Sequence, residues 1–265
     1  MARTARLQPV ITLTTDFGLQ DPFVGIMKGV LLGRCPRARL VDLSHAVPPG
    51  DVRAGAFVLL SAGRFFPRGT VHLAVVDPGV GSDRAALAAR TPDAYFVGPD
   101  NGLLSWALAA ASDVEVRRLD QPRLWLQPVS ATFHGRDLFA PVAAHLAGGG
   151  DFADVGPRAQ DWVRLSWPEP RPIRSGWRGE VVYVDRFGNA ITNLPATLAL
   201  EPSPPAHLRL PGRRRVRLGA FYAAVPPGQP VVVPGSSGYL EIALHGGHAA
   251  KTLGLRVGTQ VTFAS

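Results

Sequence analysis

Apolar positions follow two rhythms over the first 150 residues, and the rhythms alternate along the chain. Val10 to Thr14 is a short β-rich run, Phe23 to Gly33 carries apolar residues at helical spacing, and Leu40 to Leu43 is strand-like again. Asp51 to Phe65 reads as a helix with Asp51 as its N-cap. Val71 to Val76, Ala85 to Ala89 and Tyr95 to Val97 read as strands, while Leu103 to Ala110 and Leu138 to Leu146 read as helices. Such alternation predicts an α/β layer sandwich with a largely parallel sheet.

The pattern changes at Gly148. Gly148-Gly149-Gly150 opens a stretch that also holds Pro157, Pro168, Pro170 and Pro172, a density that cannot sustain long regular elements. Beyond it, Gly179 to Val184, His207 to Leu210, Arg215 to Leu218, Val231 to Val233, Tyr239 to Leu244 and Val257 to Phe263 are short β-like runs separated by turn residues. The expected organisation is an α/β N-terminal domain over 1–150, a linker over 151–178 and a smaller all-β barrel domain over 179–265.

Composition narrows the function classes. With 46% hydrophobic and 18% charged residues, the 265-residue chain can bury real cores. Its apolar runs fall far short of the roughly 20 residues that cross a bilayer, and no apolar segment follows the Met-Ala-Arg-Thr-Ala-Arg start. No membrane association and a cytoplasmic location are expected. Cys35 is the only cysteine, which excludes an internal disulfide and leaves it a packing role. The net charge of +8 raises the question of nucleic acid, but the positive charge is mostly arginine spread along the chain. The dense run Arg213 to Arg215 lacks an interleaved aromatic platform, so no nucleic-acid partner is expected.

Several predicted strands end in an acid: Asp16, Asp77 and, after a Gly-Pro step, Asp100, with Ser44 and His45 after another. In open α/β sheets ligands bind beyond the carboxyl ends of the strands, so parallel neighbours would gather these tips on one rim. Each tip also has a plainer reading. Asp16 suits an Asx-turn, Asp21 before Pro22 suits a helix N-cap, and Asp100-Asn101-Gly102 suits a turn. Arg84 taken alone reads as a surface arginine, and His134 could cap the helix after it. Asp77 is harder to explain away, because the glycines of Asp77-Pro78-Gly79-Val80-Gly81 let backbone approach a ligand just after a buried strand. The same segment lacks the Gly-Lys-Ser/Thr ending of a phosphate loop.

Taken in order, the segments Thr14-Thr15-Asp16-Phe17-Gly18, Asp21 with Val24-Gly25-Ile26-Met27-Lys28-Gly29, Asp42-Leu43-Ser44-His45, Val76-Asp77-Pro78-Gly79-Val80-Gly81, Gly98-Pro99-Asp100-Asn101-Gly102 and Thr132-Phe133-His134-Gly135-Arg136-Asp137 form a set. Asp185-Arg186-Phe187-Gly188-Asn189 and Ser236-Ser237-Gly238-Tyr239-Leu240-Glu241 complete it. The set resembles the S-adenosyl-L-methionine hydroxide adenosyltransferase family, relatives of the fluorinase and chlorinase. The resemblance implies an N-terminal α/β domain, a C-terminal β-barrel and a homotrimer with sites between subunits. It implies that Asp16 holds the ribose hydroxyls, that Asp21 and Asp185 receive the methionine amino group, that Phe187 and Asn189 contact adenine, and that Ser236 contacts the methionine carboxylate. It assigns the handling of water to Asp77, Arg84 and His134.

The chemistry suits those residue types. The sulfonium leaves as a neutral thioether without a general acid, but water, with a pKa of roughly 15.7, needs activation. No cofactor is expected, with S-adenosyl-L-methionine as the substrate. Asp77 and His134 are expected to accept hydrogen bonds from the water while Arg84 stabilises developing hydroxide. Two departures set the chain apart from the halogenases. They carry other residues at Asp77 and His134, and the fluorinase has an extra N-domain loop not found between Tyr95 and Phe133; they also place an arginine or similar partner beside the methionine carboxylate, where this chain has Ser237. A halide-dependent adenosyl transferase and a non-catalytic binder of S-adenosyl-L-methionine or nucleoside are the alternatives.

Overall fold

The computed structural model describes residues 8–264, so the reading of the N-terminal Met-Ala-Arg-Thr-Ala-Arg stretch lies outside the described residues. The chain divides into two compact units, Met1–Ser166 and Trp167–Ser265.

In the first unit the strands are β1 (Val10–Thr15), β2 (Arg39–Ser44), β3 (Thr70–Val75), β4 (Ala86–Arg90), β5 (Ala94–Pro99) and β6 (Glu115–Arg118). They form one sheet in the order β2-β1-β3-β5-β4-β6. The first four in that order run parallel, while β4 pairs antiparallel with β5 and β6. The turn at Thr91 explains the reversal: its hydroxyl bonds both the N–H and the carbonyl of Ala94, closing a hairpin too tight for a parallel crossover. β3 is buried at every position, as a central parallel strand covered on both faces must be.

The helices are α1 (Phe23–Arg34), α2 (Val52–Gly63), α3 (Ser105–Ala109) and α4 (Ala140–Ala147). Met27, Leu31, Phe139 and Val142 pack with Ile11, Leu13, Val71 and Leu73 on one face of the sheet. His72, which alternation turns the other way, lies beneath Gly63 of α2. Asp51 caps α2 as expected, its Oδ1 accepting from the Ala54 N–H at 2.9 Å. Asp21 does not cap α1. Pro22 takes the cap position with φ −74° and ψ −1°, and no side chain bonds the first turn, so Asp21 stands one residue too early. The expected helix at Leu138 to Leu146 begins earlier, as a π-helical turn over Gly135–Phe139 that passes directly into α4.

The second unit is a closed seven-strand barrel. Its members are β8 (Gly176–Val184), β9 (Ala190–Pro195), β10 (His207–Arg209), β11 (Arg215–Leu218), β12 (Pro230–Pro234), β13 (Tyr239–Leu244) and β14 (Gln260–Ala264), with the short β7 (Arg171–Ile173) paired outside β8. The order β14-β10-β11-β12-β13-β9-β8 closes through pairing of β14 with β8. Val181, Leu194, Leu208, Val216, Val232, Ile242, Val261 and Phe263 fill the interior. The last strand starts at Gln260 rather than Val257, because Gly258, at φ +84°, and the Thr259 N–H bonded to the Arg256 carbonyl form a turn there. α5 (Ala249–Leu253) completes the unit.

Candidate active site

Parallel register brings the predicted strand tips level with one another. Thr14 pairs with Ser44 and Thr15 with Val75, so Asp16, His45 and Asp77 emerge beyond three adjacent strands. Asp100 and Asn101 follow β5, the next strand across.

Asp77 and Arg84 form a buried ion pair at this rim, their side chains 3% and 10% exposed. Arg84 Nε donates to Oδ1 at 2.9 Å and to Oδ2 at 3.1 Å, and Nη2 donates to Oδ2 at 2.5 Å. The loop folds back to make this possible: the Val80 N–H reaches the Asp77 carbonyl at 3.2 Å, and the Ser82 hydroxyl reaches the Gly79 carbonyl at 2.7 Å. The Arg84 guanidinium lies 5.3 Å from the centre of the Phe139 ring. The plain reading of Arg84 as a surface residue is therefore overturned.

The same guanidinium holds His134, whose Nδ1 is 2.8 Å from Arg84 Nη2. Arginine has no acceptor, so Nδ1 supplies the lone pair and the neutral ring carries its proton on Nε2. Burial first, and then the Arg84 charge, hold the His134 imidazole below its ordinary pKa, against the opposing pull of Asp77 and Asp137. His134 thus presents a neutral ring with a donor at its free nitrogen, the reverse of the acceptor expected from sequence. Its side chain caps nothing.

The two loops that carry the trio touch at Gly81. Its φ is +81°, and a Cβ built there would lie 2.2 Å from the Ala131 carbonyl oxygen, so only glycine allows this approach. Below it, Asp137 is fully buried, accepts from the Ser130 N–H at 2.8 Å and from Arg136 at 2.6 Å, and fixes the start of the segment bearing His134.

Asp16 is not an Asx-turn residue: its Oδ2 accepts from the Gly50 N–H, 2.8 Å away on a different loop. Asp21 is exposed beside it in sequence. Asp100 accepts from the Val163 N–H at 2.7 Å, and Asn101 bridges the Val76 carbonyl at 2.8 Å and the Leu103 N–H at 3.1 Å, so both serve the turn. Beneath the rim the Thr15 hydroxyl meets His45 Nδ1 at 2.8 Å. His45 Nε2 is 3.0 Å from Asp42 but poorly aligned for a hydrogen bond, and Lys28 reaches the other Asp42 oxygen at 2.6 Å. Burial pulls the Asp42 carboxyl up, but Lys28 and His45 outweigh it and leave it below the usual range. An aromatic cluster missed in the sequence, Phe17, Phe23 and Phe133, packs edge to face at 5.4 to 6.0 Å. The only hint was that each ring neighbours a rim motif.

The remaining expected residues lie in the second unit. Asp185, Phe187, Asn189 and Ser236 line one cavity of about 700 Å³. Asp185 accepts from the Asn189 N–H at 2.8 Å and from its side-chain amide at 3.0 Å, across a turn in which Gly188 has φ +84°. Phe187 is 77% exposed. Tyr222 and Glu241 line the same cavity, and the Tyr222 hydroxyl donates to Glu241 Oε1. Neither was assigned a role from sequence.

Residues 11–156 match the SAM hydroxide adenosyltransferase N-terminal domain, and residues 179–262 match the C-terminal domain of the same family. The chain is 47% identical over 256 residues to the (R)-S-adenosyl-L-methionine hydrolase of Salinispora tropica, an alignment covering 96% of this chain and 97% of the relative. A fluorinase from an Actinoplanes species is more distant, at 28% identity with 96% and 97% coverage. Among solved structures, an uncharacterized conserved protein from Thermotoga maritima aligns with a TM-score of 0.89 at 37% identity, covering 96% of this chain and all (100%) of that one.

Proposed function

Because the chain belongs to the SAM hydroxide adenosyltransferase family, we propose that it hydrolyses S-adenosyl-L-methionine to adenosine and L-methionine. The observation that carries this reading is the buried chain Asp77–Arg84–His134 at the strand tips. Water held there would donate one proton toward Asp77 and accept the His134 Nε2–H, with Arg84 fixing both partners. Each carboxylate oxygen has two lone pairs, so Arg84 does not exhaust Asp77 as an acceptor.

The water oxygen forms a bond to ribose C5′ as the C5′–S bond breaks. The bonding pair leaves on sulfur, which turns from sulfonium to neutral thioether, and the surplus proton passes through Asp77 to solvent. Holding the water and the ribose in line contributes up to about 7–11 kcal/mol in well-aligned reactions, and Asp16 is the ribose anchor in this reading. Asp21 and Asp185 take the amino group, Phe187 and Asn189 the adenine, and Ser236 the carboxylate. No cofactor enters the scheme.

The relative's name specifies the (R) sulfonium, and the same epimer is the proposed substrate here. A hydrolase confined to one epimer spares the other. We read the working assembly as a cytoplasmic homotrimer that pairs the first unit of one subunit with the cavity of another. The likeness to a fluorinase keeps halide transfer in view, but the buried Asp77 carboxylate repels an anionic nucleophile where it would assist water.

Incubation with each epimer, with and without chloride, followed by chromatography, tests the reading. Adenosine and methionine should appear from the (R) epimer in both tubes. A halonucleoside as main product with chloride, and no adenosine without it, would overturn it.

A further inference from the structure

The cavity of the second unit holds two acids, Asp185 and Glu241, and among the described residues no lysine or arginine lines it. Glu241 lies on the face of β13 opposite the core residues Leu240 and Ile242, lines the cavity, and is only 6% exposed. Its Oε1 accepts the Tyr222 hydroxyl, and a Cβ built on Gly235 would lie 2.6 Å from its Oε2. Its carboxyl is thus wedged between the 3₁₀ turn of Tyr222–Ala224 and the turn that leads into Ser236. Asp185 faces the cavity from the β8–β9 turn with both oxygens already accepting from Asn189.

Two carboxyl groups in one cavity repel each other, and a cation between them removes the repulsion. An ammonium brings three donors and seeks several acceptors, while Asp185 has given part of its capacity to Asn189. Building on the substrate proposed above, we propose that Glu241, positioned by Tyr222, is a further acid, beside Asp185 in the cavity and in addition to Asp21, of the subsite that receives the α-ammonium of the ligand.

The surroundings of Glu241 favour a positive partner. Burial above all pushes its carboxyl above the usual range; the Tyr222 hydrogen bond opposes it, and the Asp185 charge adds a smaller upward push. Tyr222 is pushed up as well, by burial and then by Glu241, so its hydroxyl stays a donor.

Two thioether probes differing only in the amino group isolate this contact: S-adenosyl-L-homocysteine and 5′-S-(3-carboxypropyl)-5′-thioadenosine. Neither carries the sulfonium that is hydrolysed. Titration calorimetry on the full chain should give tighter binding of the amino probe by about tenfold or more. In Glu241→Gln that ratio should fall to within about threefold, with the deaminated probe binding as before. Tyr222→Phe keeps the acid and most of the packing, and should lower the ratio in the same direction if Glu241→Gln does not fold. In the unsubstituted protein the ratio should also fall as acid protonates Glu241.

An unchanged ratio in these variants, or an equal loss for both probes, would overturn the assignment in favour of a purely structural pair. Binding of neither probe by the unsubstituted protein, with no hydrolysis, would instead bring down the substrate reading. Hydrolysis with an amino preference indifferent to Glu241 would remove this inference alone.

Discussion

The rim of the first unit and the cavity of the second handle buried charge in opposite ways. At the rim, the buried Asp77 is closed by Arg84, and His134 is tied to the same guanidinium, so the charges of this trio are matched within the chain. In the cavity, Asp185 and Glu241 have neutral partners only, Asn189 and Tyr222, and the aromatic Phe187 lies 77% exposed. A matched charge set is prepared before its reactant arrives, which suits orientation of a small neutral molecule such as water. An unmatched acidic set awaits a countercharge from outside, which suits recognition of a cation.

Breaking the match at the rim should have the largest effect. Asp77→Asn keeps the shape but removes the countercharge of Arg84, and should lower kcat for hydrolysis by about 100-fold or more. Affinity for adenosyl thioethers, read by calorimetry, should stay within about threefold if the division of tasks holds. A loss shared equally between kcat and binding would mean that the rim recognises ligand as much as it activates water.

Acid offers a milder test of the same arrangement. His134 accepts from Arg84 only while its Nδ1 is unprotonated, and its pKa is held below the ordinary 6.5. The rate should therefore hold through neutrality and fall on the acid side with a midpoint under 6.5, by about tenfold per pH unit at most. A midpoint above 6.5 would show that His134 works as a protonated group.

The smallest expected effect separates the units by stability. His72 is buried in β3, bonds Thr12 at 2.7 Å and stacks on Phe96 at 5.0 Å, and burial lowers its pKa to about 4. The unfolded chain binds this proton first, so stability of the first unit should decline between roughly pH 6.5 and 4, by about 3 kcal/mol in all. Denaturant unfolding across that range should show the slope, and His72→Asn should flatten it. A slope confined to the barrel's transition would assign the effect to the second unit.

Much of this was legible in the residues because periodicity reports burial. The alternation of the first 150 residues anticipated the parallel sheet, and strands ending in acids anticipated the rim at Asp16 and Asp77. What escaped has physical causes. Glu115–Arg118 has an almost wholly polar sequence and forms a strand because β4 offers it a free edge. Ala190–Pro195 buries Thr192 and Asn193 on its two faces, and these are acceptable only because Thr192 donates to the Leu240 carbonyl and Asn193 to that of Pro168. No local pattern announces such partners. The contact between Arg84 and His134 spans 50 residues of sequence, and only the ordered motif set made it foreseeable. The direction of the His134 hydrogen bond could not be read from the chain at all, since it depends on which donor reaches Nδ1.

The close approach of Gly81 to the Ala131 carbonyl also bears on heredity. Any missense change at that codon adds at least a Cβ, and even alanine would place it 2.2 Å from an oxygen that belongs to backbone and cannot step aside. Drift at this position has no small first step. The loops bearing Arg84 and His134 are therefore constrained together, and a change in one is felt in the other.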